Sequence, residues 1–199
     1  MSLGALPLGH FGCLLADPPW AFRTFSGENM TPHRSAEDHY RTMELTDIMA
    51  LPVGDHAAKD AALFMWIVDS HVDAAIELGR AWGFDLKTVA FIWLKTGMYE
   101  AQFDLFTGDL PDPLMSMGYW TRKQAEICLL FTRGKPERLS KGVRQVIVDR
   151  RREHSRKPDD QYARIEALVG GPRLELFART TRPGWSSWGN QTEKFGEAA

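Results

Sequence analysis

The sequence predicts an α/β fold in which a mostly parallel sheet carries helices on both faces. Two observations predict it. Short apolar runs recur along the 199 residues, mostly uninterrupted, as strands buried on both sides require. Segments with helical spacing and capping signals alternate with those runs. The length suits a single domain over residues 1–199.

Taken in order, the run 13–16 reads as the first strand, and 46–51 as a short helix. A strand over 62–68 precedes a helix over 70–82, with Val72, Ala75, Ile76 and Leu78 on its apolar face. Ser70 is placed to cap that helix and Gly83 to end it. Strands follow over 88–94, 126–132 and 143–148. A helix over 159–169 starts after Pro158, carries Tyr162, Ile165 and Leu168, and stops at Gly170-Gly171. The runs 174–178 and 185–188 complete the set, with Trp185 and Trp188 expected to pack a sheet edge. Three segments break the alternation: long loops at about 21–41 and 96–118, and a basic stretch over 133–157. Ordered loops beyond about 12–15 residues usually serve a function.

Composition narrows the possible partners. The net charge is −2, so the chain is no polycation, and any contact with nucleic acid must come from a local patch. The stretch 133–157, which includes Arg150-Arg151-Arg152, supplies one. Cys13 and Cys128 sit in apolar runs without CxxC spacing, so neither a disulfide framework nor a zinc site is expected. Buried thiols suit a reducing, cytoplasmic compartment. His33 and His39 match no metal-binding spacing, and no metal is expected. The longest apolar run, 61–68, is too short to cross a bilayer.

The most telling motif is Asp17-Pro18-Pro19-Trp20, at the carboxyl end of the first strand. In open α/β sheets ligands bind outside that end. The acid accepts hydrogen bonds. The prolines donate none and stiffen an acceptor-rich turn. The aromatic offers a flat face. An exocyclic amino group on a ring needs that set, and the target suggested is N6 of adenine. As an isolated tetrapeptide the motif also reads as a strand-ending turn.

With that motif placed, the chain resembles the MT-A70 family of S-adenosylmethionine-dependent adenine-N6 methyltransferases, from about Leu14 to Gln191. Several segments in one order carry the resemblance. They are Asp17-Pro18-Pro19-Trp20, His39-Tyr40-Arg41-Thr42-Met43, Phe64-Met65-Trp66, Trp93-Leu94-Lys95 and Gly118-Tyr119-Trp120-Thr121-Arg122 with Glu126. Toward the carboxyl end come Ser155-Arg156-Lys157-Pro158-Asp159, Glu175-Leu176-Phe177-Ala178-Arg179 and Gly189-Asn190-Gln191.

The resemblance implies a Rossmann-like methyltransferase sheet with S-adenosylmethionine as cofactor. It implies catalysis by Asp17, Pro18, Pro19 and Trp20, with substrate contacts from Tyr40, Arg122 and Glu126. Lys157, Arg179, Asn190 and Gln191 are implied to bind the cofactor. Read singly, Lys157 is a solvated cation before a helix and Asn190 a turn residue. Asp17 and the Pro18 carbonyl would accept the two N6–H bonds, while Trp20 or Tyr40 would stack on the base. Ala178 stands where many relatives have glycine. The expected partner is nucleic acid, DNA in preference to RNA. A binding-only subunit that supports an active partner is the alternative of another class. Relatives often work as pairs with the loop 96–118 near the interface. With the apolar content of that loop, this implies a homodimer.

Overall fold

The structure, a computed structural model, describes residues 3–20, 42–97, 114–116, 120–153 and 155–194. The loop 21–41 and most of 96–118 lie outside them, and with them Tyr40, His33 and His39. Seven strands form one sheet in the order β5-β3-β4-β2-β1-β6-β7. These are β1 Phe11–Ala16, β2 Ala57–Ile67, β3 Asp85–Thr96, β4 Ala125–Arg133, β5 Val146–Arg150, β6 Arg173–Leu176 and β7 Trp185–Trp188.

The expected sheet is present, with one strand reversed. Neighbours pair in parallel except along β4, which is antiparallel to both β2 and β3. The strands beside β4 therefore point the same way as the rest, and the sheet is mixed. Sequence cannot show this reversal, because a buried strand reads as the same apolar run in either direction.

Alternation along the strands splits the core in two. Leu14, Ala16, Leu63 and Met65 face one side, where helices α1 (Leu45–Met49), α2 (Val53–His56) and α3 (Val72–Ala81) supply Ile48, Val53, Ala75 and Leu78. Cys13, Leu15, Phe64, Trp66, Phe91 and Cys128 face the other, where α4 (Asp160–Leu168) supplies Tyr162 and Ile165. Helices thus cover both faces, as expected, and both cysteines are buried. Trp185 and Trp188 sit on the edge strand β7, with Trp185 buried against Tyr162. No helix among the described residues is long and apolar enough to cross a membrane.

Two local expectations need correction. Ser70 does not cap α3: residues Asp69–His71 form a 3-10 turn, His71 takes the cap position, and the Ser70 hydroxyl is bonded to the His71 ring instead. Gly83 does end that helix, at φ +83°, with its N–H on the Arg80 carbonyl. The basic stretch is not one surface either. Its first part, through Arg133, Lys135, Arg138, Lys141 and Arg144, joins the end of β4 to the start of β5. Both lie at the amino-terminal pole of the parallel strands. Only the part from Arg150 onward reaches the carboxyl-terminal pole, where Asp17 is.

Candidate active site

The carboxyl-terminal pole gathers side chains from four strands, because parallel strands all end there and β4 begins there. β1 delivers Asp17, β3 delivers Lys95, β4 delivers Glu126, and the segment after β5 delivers Lys157 just before α4. They form a row of alternating charge. Lys157 Nζ donates to Asp17 Oδ2 at 2.8 Å and lies 3.3 Å from Glu126 Oε2, and Lys95 Nζ donates to Glu126 Oε1. Lys157 is therefore no solvated cation: its side chain is 12% exposed. Such a row persists away from water only when each charge has its partner.

The electrostatics follow from that pairing. Burial would raise the Glu126 carboxyl, but Lys157 and Lys95 outweigh it and hold the group down at about 2. Burial would lower the Lys157 ammonium, and Asp17 and Glu126 reverse that, so it stays firmly charged. Glu175 on β6 behaves in the opposite way. Burial pushes it up to about 7, the Tyr162 hydroxyl that donates to it at 3.0 Å opposes the rise, and Asp17 adds to it. The two carboxyls line neighbouring cavities, Glu175 the one with Asp17 and Lys157 and Glu126 the one with Trp93 and Lys95, and both cavities share Ser155 and Arg156.

Asp17, Lys157, Glu175, Tyr162, Phe177 and Arg179 line one cavity, together with Trp66 and Gln161. Trp66 donates its indole N–H to Gln161 Oε1 at 2.6 Å, and Lys157 Nζ sits 5.8 Å from the Trp66 ring centre. Phe177 turns the chain at the end of β6 in the left-handed region, φ +59°. Gly189, directly after β7, faces Ala178. A Cβ on Gly189 would sit 2.5 Å from the Ala178 carbonyl oxygen and 2.8 Å from its nitrogen. Gly189 thus lets β7 close against the turn, with the Ala178 N–H on the Trp188 carbonyl at 2.9 Å. Asn190 and Gln191 follow Gly189 directly, and neither is among the residues that line the cavity.

The remaining expected site residues fall as follows. The Pro18 carbonyl accepts the Trp20 N–H at 2.9 Å, and the Pro19 carbonyl accepts the Met43 N–H at 2.9 Å. Trp20 is 4% exposed and packed in the core with the α1–α3 face, so it fixes the turn and offers no open face for stacking. Tyr40, the other stacking candidate, lies outside the described residues. Arg122 is exposed at the rim, next to Lys123, which pairs with Asp69. Tyr162 and Gln161 reach the cavity although Tyr162 reads in sequence as a helix-face core residue. Its hydroxyl is the signal that could have marked it, since a buried hydroxyl needs a partner.

A parallel-dominated sheet with its acidic turn, buried lysine and cavity at the carboxyl ends of the strands is the architecture of a Rossmann-like fold, the one expected of a methyltransferase of this kind. The MT-A70 family profile matches residues 11–191. The type II methyltransferase M.MunI of Mycoplasma sp is 32% identical over 92% of this chain and 78% of its own length. The N(6)-adenosine-methyltransferase MT-A70-like protein of Arabidopsis thaliana is also 32% identical, over 92% of this chain but 24% of its own length. The human N(6)-adenosine-methyltransferase catalytic subunit METTL3 is 29% identical over 94% of this chain and 29% of its own. The chain belongs to the MT-A70 family.

Proposed function

We propose that this chain transfers a methyl group from S-adenosylmethionine to the N6 amino group of adenine in DNA. The observation that carries the reading is the contact between Asp17 and Lys157 at a cavity on the carboxyl ends of β1 and β6. The residues present fit the cofactor. Lys157 and Arg179 suit its carboxylate, while Glu175 and Tyr162 offer a hydrogen-bonded acceptor for an ammonium or a hydroxyl. Asn190 and Gln191, directly after Gly189, are the residues assigned to the ribose and adenine. When bound, the cofactor supplies a methyl group already made electrophilic by its sulfonium.

The chain's own residues then have an alignment task. The N6 lone pair of adenine is delocalised into the ring. Asp17 Oδ1 is the oxygen left to accept one N6–H, since Lys157 holds Oδ2. The Pro18 carbonyl keeps a second lone pair for the other N6–H, beyond the one used by Trp20. Two acceptors on the N6–H bonds would draw the nitrogen toward tetrahedral geometry and bare its lone pair. Lys157 orients the Asp17 carboxylate and Glu126 orients Lys157.

DNA is the first reading, as expected from the sequence; the chain spans most of M.MunI and about a quarter of the adenosine methyltransferases. RNA is the second reading, favoured by the names of those adenosine methyltransferases. Arg150, Arg151 and Arg122, all exposed at the reaction pole, are the candidate phosphate contacts. Leu114, Met115 and Trp120 are exposed at the same pole. They suit a homodimer contact, and light scattering should then give twice the 22.5 kDa chain mass.

The test is incubation with labelled S-adenosylmethionine and matched DNA and RNA oligomers, followed by identification of the modified nucleoside. N6-methyladenine in DNA is the expected product. Asp17→Ala should abolish it in a folded protein. Label on RNA alone would move the assignment to RNA, and label on neither would refute the activity.

A further inference from the structure

The segment from Arg150 to Asp159 joins the exposed rim to the cavity, and one carboxylate fastens it. Asp159, at the cap position of α4, meets three arginines. Arg152 Nη1 donates to Asp159 Oδ2. Arg156 Nη2 lies 3.5 Å from the same oxygen, and Arg182 Nη2 donates to Oδ1 at 3.4 Å. Arg152 also donates to Asp149 Oδ2 on β5 at 2.8 Å, and so clamps the two ends of the segment together. Arg182 stacks over the Tyr162 ring at 4.0 Å, and Tyr162 in turn holds Glu175.

Between the clamped ends the backbone is strained. Ser155 sits in the left-handed region at φ 65°, a conformation that persists only where its surroundings over-determine it. Lys157 follows two residues later. Arg152 is 18% exposed and committed to two carboxylates. It therefore differs in kind from its exposed neighbours Arg150 and Arg151.

We propose that Asp159 is a positioning residue that, through Arg152 and Arg182, sets Lys157 and the Tyr162–Glu175 pair in register at the cofactor cavity. The inference rests on the methyltransferase reading above. Arg152 then serves cofactor binding, while Arg150 and Arg151 serve the nucleic acid.

The test uses the full chain and S-adenosylhomocysteine as calorimetric probe, with steady-state methylation kinetics beside it. Asp159→Asn keeps the shape but loses the charge that holds three guanidinium groups. It should weaken probe binding and raise the cofactor KM about 10-fold to 100-fold, as expected for lost charge-assisted hydrogen bonds. The oligonucleotide KM should stay near wild type. Arg152→Lys, a milder change that keeps the charge but cannot span both carboxylates, should shift the same two quantities in the same direction by a smaller factor. A general loss of structure would lower kcat and raise both KM values together. That pattern in both variants, or wild-type probe affinity in either folded variant, overturns the assignment. Failure of the wild-type chain to bind the probe would instead remove the methyltransferase reading beneath it.

Discussion

Glu126→Gln isolates the middle of the charge row. The substitution keeps size and one acceptor but deletes the negative charge between Lys95 and Lys157. The carboxyl is held at about 2 against an ordinary 4.5, a preference for the charged form worth on the order of 3 kcal/mol. For a domain of this length each kcal/mol moves the thermal midpoint by roughly 2–4 °C. The variant should therefore unfold about 6–12 °C below wild type near pH 7. The sign with pH is fixed by the direction of the shift. A depressed carboxylate stabilises fully above its unfolded value of 4.5, and that contribution is lost as the pH falls toward about 2. The wild-type curve should descend through that window while the variant stays flatter, so the gap closes. Thermal unfolding followed by circular dichroism from pH 7 to pH 3 measures it. Equal midpoints at pH 7, or a gap that keeps its width down to pH 3, would refute the claim that Glu126 is held ionised by its two lysines.

Four further predictions concern the same pole. Lys157→Ala and Asn190→Ala should each weaken S-adenosylmethionine binding by roughly 1–3 kcal/mol, and unchanged calorimetric affinity in both would reject the pocket. Arg150→Glu with Arg151→Glu should weaken binding to DNA and flatten its salt dependence while leaving the thermal midpoint in place. Arg152→Glu should lower the midpoint, because it sets three carboxylates against one another with Asp149 and Asp159; equal effects from all three arginines would argue for a single solvated patch. Gly189→Ala forces a methyl group within 2.5 Å of the Ala178 carbonyl, so it should destabilise the fold and weaken cofactor binding together, and a folded variant with wild-type affinity would show that the turn can yield.

Much of this protein is legible along the chain because its determinants are local. Uninterrupted apolar runs announce buried strands, Gly83 announces the end of α3, where it takes a positive φ, and Asp17-Pro18-Pro19-Trp20 announces an acceptor-rich turn at a strand end in four adjacent residues. The family resemblance put Lys157 and Glu126 at the site, but not against each other. What sequence leaves undecided depends on strand direction and on partners far apart in the chain. The reversal of β4 places Glu126 at the carboxyl-terminal pole and sends Lys135, Arg138, Lys141 and Arg144 to the opposite one, although they belong to one basic run. Trp20 reads as a stacking face and is core, because Met43 and α1 pack over the turn. Read singly, Lys157 is a surface cation, yet 140 residues of separation bring it to Asp17. A buried lysine is tolerated only where folding sets carboxylates around it, and those carboxylates come from strands whose order and direction only the assembled sheet defines.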